Sequence, residues 1–186
     1  LLIGGTANVS NAQVSISVGS ASTQFLIGAS YTRQTTVFPT DHGETKASAN
    51  FTISHSSNNK RFNVRLSGNY LANENKLNIS DLTGFINLPP NMQLRDPEGN
   101  ISRQEGGVTH RSTLSRVNPL ASLNTLYTGN YRNLISNAEI GYQLMEGLEV
   151  KVNLGYNSLQ GNEKSAQPST SIDPNTSNLP SASFSN

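Results

Sequence analysis

Apolar and polar residues alternate with a period of two in six short stretches of the chain. The alternation is sharpest over Leu148-Glu-Val-Lys-Val-Asn-Leu-Gly-Tyr156, where even positions are apolar and odd positions polar or glycine. Strict alternation predicts a strand with two unlike faces. A shorter stretch sets Val14, Ile16 and Val18 against Ser15 and Ser17, and a stretch over about 23–34 sets Phe25, Ile27, Ala29 and Tyr31 against Gln24, Gly28, Ser30 and Thr32, with Leu26 breaking the polar face. The next two run over about 46–55 (Ala47, Ala49, Phe51, Ile53) and about 61–72 (Phe62, Val64, Leu66, Tyr70). The fifth covers about 132–143 (Leu134, Ala138, Ile140, Tyr142) and the sixth about 148–158.

The connections divide into two kinds. Gly19-Ser-Ala-Ser22, Ser56-Ser-Asn-Asn59 and Met145-Glu-Gly147 are short and carry turn residues; Asn in particular tolerates positive φ and bonds its own backbone. Between these hairpins lie a middle-length loop with Phe38-Pro-Thr-Asp-His-Gly43 and a connection over about 73–130. Connections beyond about 12–15 residues are uncommon in compact domains and are usually functional. Leu77, Ile79, Leu82, Phe85, Ile86 and Leu88 imply that this one packs on something, and a short helix is expected near Pro119 to Leu126. The polar tail from Gln160 reads as the start of another long loop. The expectation is an all-β fold: an antiparallel up-and-down meander of about six strands, a segment of a large transmembrane β-barrel. Such walls combine strands of about ten residues with short turns at one end and long loops at the other. Phe25, Tyr31, Phe62, Tyr70, Tyr142 and Tyr156 fall near strand ends, where aromatic girdles sit.

Composition adjusts this picture. The 186 residues are 34% hydrophobic and 13% charged, with no Cys and no Trp, and the net charge is only +1. Charged content is about half that of ordinary soluble domains, and the balance argues against a nucleic-acid partner, which needs a clustered basic face. Disulfides and thiolate metal sites are excluded. No run of about 18 apolar residues is present, so no transmembrane helix is expected; a barrel strand hides its lipid face in every second residue. With no initiator Met and no signal peptide at Leu1, residues 1–186 read as part of one barrel domain of a larger protein.

Asn118-Pro-Leu-Ala121, Tyr131-Arg-Asn-Leu-Ile-Ser-Asn137 and Gly147-Leu-Glu-Val-Lys-Val-Asn-Leu-Gly-Tyr-Asn157 resemble the SusC/RagA type of TonB-dependent outer-membrane transporters of Bacteroidetes. Tyr31-Thr-Arg-Gln-Thr-Thr-Val-Phe-Pro39 and Leu88-Pro-Pro-Asn91 look like barrel segments of the same family, so the resemblance runs along nearly the whole chain in order. It implies a cell outer membrane location and a barrel of about 22 strands around a plug. It also implies uptake of oligosaccharide or peptide substrates under a SusD-like surface lipoprotein, driven by the TonB complex through parts outside this stretch. Asp41-His-Gly-Glu44 departs from the family's pattern, and no loop function is carried over there.

Candidate chemistry is sparse. Arg65, Glu139 and Lys151 all fall on the polar parity, and with Asn63, Asn69 and Asn153 they are the lumen-facing candidates for contact with plug or substrate. Hydration of the lumen is the simpler role. Asp41, His42 and Glu44 could ligate a metal, but neighbours in an exposed loop rarely converge, so a solvated loop is expected. His55 and His110 lack the partners of a catalytic triad. Asp96-Pro-Glu-Gly-Asn100 lacks the spaced ligands of a calcium loop and reads as a β-turn. The Asn-x-Ser/Thr matches at Asn8, Asn50, Asn78, Asn100 and Asn175 are chance in so Asn- and Ser-rich a chain. No catalytic residue, metal or cofactor is expected, and the expected activity is binding and gated passage, not enzymatic. The rival reading is a soluble, surface-exposed all-β binding or adhesion module, whose apolar faces would be buried between two sheets. Alternation alone does not separate the two.

Overall fold

The computed structural model describes residues 4–38, 40–77, 82–85, 87–89, 91–102, 104–105, 108–109, 118–172 and 179–185. Asn78, Ile79, Ile86, His110 and Asn175 lie outside the described residues. The alternating stretches form β1 (Val9–Gly19), β2 (Thr23–Thr35), β3 (Gly43–Ser56) and β4 (Phe62–Asn75). A two-residue pair, β5 (Gln104–Glu105) and β6 (Val108–Thr109), and a short helix, α1 (Pro119–Leu123), follow in the long connection. Then come β7 (Leu126–Met145), β8 (Leu148–Gln167) and β9 (Ser181–Ser185). The main sheet has the order β1-β2-β3-β4-β7-β8-β9, and every neighbouring pair in it is antiparallel. The protein is an all-β, up-and-down meander.

Two expectations need correcting. The sheet has seven strands where about six were expected, because part of the polar tail returns as β9 against Glu163–Gln167. The other strands outrun their alternating cores. β7 begins at Leu126 and β8 continues to Gln167, although Thr128, Asn130 and Arg132 and their partners Lys164, Asn162 and Gln160 are polar on the face that is apolar lower down. Backbone ladder bonds hold a strand together where the apolar pattern has stopped.

The three tight turns lie at one end of the sheet. Around Ser20–Ser22 the Ser20 amide donates to Thr23 O (2.6 Å). In the β3–β4 turn the Lys60 amide donates to Ser57 O (2.8 Å), and Asn59 Oδ1 accepts from the Arg61 amide (3.2 Å). Lys60 sits there at φ 56, in the left-handed region that disfavours a side chain with a Cβ. The β7–β8 turn places Gly147 at φ 82, which glycine adopts freely.

At the opposite end the β4–β7 connection builds a small body of its own. Among the described residues the buried apolar side chains are Leu82, Met92, Pro119, Ala121, Leu123 and Ile172, all in connections and none in the sheet. Asn118 fastens this body. Its Oδ1 caps α1 by accepting from the Leu120 amide (3.0 Å), while Nδ2 donates to Leu94 O (2.8 Å) and Ser102 O (2.7 Å). Residues after β8 join in, with Asn124 Nδ2 donating to Thr170 O (3.3 Å) and Ile172 packed in the core. Asp96–Asn100 is the expected turn: Asn100 N donates to Asp96 Oδ1 (2.7 Å) and Gly99 adopts φ 87. The packing expected of the loop's apolar residues is realised at Leu82, which is 1% exposed.

Candidate functional site

The register sorts the side chains of β1–β4, β7 and β8 onto two faces. One carries Val14, Ile16 and Val18, then Phe25, Ile27 and Tyr31, then Ala49, Phe51 and Ile53, and continues through Leu66 and Tyr70 to Leu134, Ile140 and Tyr142 and to Val150, Val152, Leu154 and Tyr156. These side chains are largely open to the surroundings: Ile16 is 68% exposed, and Ile27 and Leu154 are 61% exposed. Phe51 lies across Gly68, its partner on β4, so that a Cβ there would collide with the ring. An apolar groove of about 430 Å³ runs between Phe25, Ile27, Phe51, Tyr70 and Leu134.

This apolar face is a band with two edges. On β7 it runs from Leu134 to Tyr142, on β8 from Leu148 to Tyr156 and on β4 from Phe62 to Tyr70. Beyond it, towards the long connections, the same parity turns to Arg33, Thr45, Glu74, Arg132 and Gln160. The tyrosines mark that edge, and their levels are not equal. Tyr156 of β8 stands opposite Ser136 of β7, and Tyr70 of β4 opposite Leu134. Tyr31 of β2 reaches the level of Arg132 through Ala47 and Ala72. Each interval is two residues for two strands. The lower edge drifts in the same direction but faster: Phe62 is level with Tyr142, and Phe25, two strands away, is level with Ala138 through Ile53 and Leu66, four residues for two strands. Along the tyrosine edge, one residue per strand, about 3.3 Å along for about 4.8 Å across, tilts the strands by about 35° from the normal to the band.

The opposite face holds the predicted site residues. Asn63, Arg65, Asn69, Glu139, Lys151 and Asn153 all share it. Arg65 is directly opposite Glu139, and Glu139 is opposite Asn153. Asn63, Arg65, Glu139 and Lys151 border a depression of about 440 Å³ near the tight turns, together with Gln24, Ser54 and Glu149. Lys151 Nζ pairs with Glu149 at 3.3 Å, both well exposed. Gly141 is buried beneath them, and a Cβ there would come 3.1 Å from Glu149 Oε1. Asn69 stands two positions further along β4 than Ser67 and does not line the depression. The chemistry of this face is hydrogen bonding and balanced charge.

Two polar clusters on the same face escaped the pattern. Glu44 was expected in a solvated loop; instead it lies in β3 and is 7% exposed. Gln34 Nε2 (2.7 Å), Asn73 Nδ2 (2.9 Å) and Lys46 Nζ (2.9 Å) hold its carboxylate. Its place next to Gly43 in a loop-like run hid the strand start; its even parity with Lys46, Ser48 and Asn50 was the available signal. Higher on β7 and β8, Tyr131 donates to the Glu163 carboxylate and contacts Tyr127 Oη at 3.2 Å. Bonding to the Glu163 carboxylate raises the Tyr131 phenol above its ordinary value, since ionising it would place two anions together. Gly129 and Gly161 leave room for the Tyr131 ring. His55 bonds Thr23 Oγ1 at 2.7 Å through Nδ1. Among the described residues, no three His, Asp or Glu side chains converge as a metal site would need. Among the described residues no helix is long and apolar enough to cross a membrane, which says nothing about strands.

At the loop end, a second depression of about 550 Å³ separates Thr40 from Arg95, Asn100, Leu120, Asn124 and Ile172 of the loop body. No protein-family model matches the chain, and no curated protein matches it.

Proposed function

We propose that the chain is a strip of outer-membrane β-barrel wall, part of a TonB-dependent nutrient importer of the SusC/RagA type. The observation that carries the wall reading is the inclined apolar band. Nine residues from Leu134 to Tyr142 span about 27 Å along the strand and, at an inclination of about 35°, about 22 Å in height. Outer-membrane barrels have strands tilted by about 35–45° and an aromatic-edged apolar band about 25 Å tall. The soluble binding or adhesion module needs a second sheet over this face, yet Ile16, Ile27 and Leu154 stand open.

The importer reading rests on the sequence resemblance of residues 118–121, 131–137 and 147–157, together with the segregation of tight turns and long connections to opposite ends. On this reading the face with Asn63, Arg65, Asn69, Glu139, Lys151 and Asn153 lines the lumen and meets plug or substrate. The loop body around Leu82, Met92, Ser102 and α1 then faces the outer surface, towards a SusD-like lipoprotein and an incoming oligosaccharide or peptide. Its work is binding and gated passage, with no covalent step. The test is to express the intact gene product, fractionate the cells and run unheated and heated samples side by side. Outer-membrane fractionation with heat-modifiable migration is expected. Solubility without detergent sinks the wall reading; insertion without TonB-dependent uptake of any oligosaccharide or peptide sinks the importer reading alone.

A further inference from the structure

The outward face changes character above the line of tyrosines. On the parity of the apolar band, Arg33 of β2 comes two residues beyond Tyr31, and Arg132 of β7 two residues beyond Leu134. Further out stand Lys164 of β8, opposite Thr128, and Lys76, which follows β4 and whose amide donates to Gly43 O at 2.9 Å. Lys76 Nζ lies 2.7 Å from Glu74 Oε1, which places both on the same side. Glu74 is the only carboxylate of this outward set, so four cations less one anion leave it at +3. The inward face of the same strands carries Lys46, Arg65 and Lys151 against Glu44, Glu139, Glu149 and Glu163, a balance of −1. In a chain with a net charge of only +1, the two faces of these strands therefore differ in sign, with the net positive charge on the outward side. Arg33 and Arg132 are exposed, and among the described residues neither has a carboxylate partner.

We propose that Arg33 and Arg132 bind the phosphates of lipid headgroups in the leaflet on the long-loop side. This rests on the wall reading above. Measured from the tyrosine line, the two arginines stand about 5–8 Å up the wall, at the level where headgroups begin. A guanidinium offers phosphate two parallel donors in a fixed fork, which suits a headgroup better than diffuse charge does. Exposed cations on an apolar wall also bury their stems against it while the charge reaches the polar layer. Lys76 and Lys164 stand roughly twice as far out or more. Their influence at the headgroup is weakened by screening over a length of about 8–10 Å.

The test reconstitutes the full-length protein in phosphatidylcholine bilayers doped with diphosphoryl lipid A or with the same lipid dephosphorylated, and measures retained lipid by native mass spectrometry. The wild type is expected to retain the phosphorylated form preferentially. Each cation near an anionic headgroup is worth about fivefold, so Arg33→Gln with Arg132→Gln is expected to cut the preference about 25-fold. Lys76→Gln with Lys164→Gln is expected to cut it by less than about fivefold. An unchanged preference in the arginine pair variant, or an equal loss in the lysine pair variant, overturns the proposal. Displacement of the lipid by millimolar inorganic phosphate assigns the site to free phosphate and overturns the lipid assignment. Failure of the wild type to insert into phosphatidylcholine bilayers is a different result: it removes the wall reading itself.

Discussion

In the main sheet, Ile16 and Leu154 expose well over half of their surface, whereas in the loop body Leu82 and Ala121 are sealed to 1% and 0%. Both regions are rich in apolar residues, but they satisfy them differently. The loop body folds its side chains inward around α1, with Ile172 from beyond β8 completing the core. The sheet leaves a continuous apolar band uncovered on one face, forgoing the roughly 1.5–3 kcal/mol that burial of each large aliphatic side chain contributes, and it depends on whatever medium lies against it. Local packing therefore governs the first region, and the surroundings govern the second.

The sharpest break of this comparison comes from the loop body. Leu82→Ala is expected to cost about 2–5 kcal/mol of local stability, read as lost hydrogen-exchange protection at Ala121 and Asn124 while heat-modifiable migration persists. Loss of migration as well would mean that the two regions are one cooperative unit. Next, on the proposed wall reading, Val152→Arg is expected to cost about 2–4 kcal/mol in bilayer unfolding titrations because it places a charge at mid-band. Following the ladder from Val152 through Ile140, Val64 and His55 leads to Thr23. Thr23→Arg is expected to cost only about 0–1 kcal/mol, since the inclined band has already passed it by. Equal costs at the two positions would show that the band follows the hydrogen-bonded rows and is not inclined.

Asn118→Ala removes a helix cap and leaves Leu94 O and Ser102 O without their donor. A loss of about 1–3 kcal/mol confined to the loop body is expected, measured by exchange or limited proteolysis. The smallest change is a gain. Lys60→Gly relieves a left-handed residue in a tight turn and is expected to add about 0.5–1 kcal/mol to the wall in the same bilayer titration. A loss there would mean that the Lys60 side chain is itself stabilising the turn.

The strands were legible in the sequence wherever one face is apolar and the other polar, as at Leu148–Tyr156, because period-two alternation is the direct imprint of that difference. The parity of Arg65, Glu139 and Lys151 followed from it. What could not be read lies outside the band. Across Thr128–Arg132 and Gln160–Lys164 both faces are polar, so no period survives although the ladder does. The same reason hid Tyr131 and Glu163, which meet across β7 and β8, while Glu44 was hidden by the loop-like run around Gly43 and is held partly from β2 and β4. The inclination of the band was also out of reach, since it needs the register of every pair before the tyrosines can be placed at their levels.

The turn at Gly147 has a consequence for the order of assembly. Two residues separate β7 from β8, whereas 50 separate β4 from β7. A flexible connection costs about 0.6 kcal/mol more for each doubling of its length, so the β7–β8 hairpin is expected to form before its join to β4. The loop body shortens that wait. Once Asn118 has drawn residues 94, 102 and 120 together, the free tether is much shorter than the chain that composes it, and the hairpin arrives at β4 already in harness.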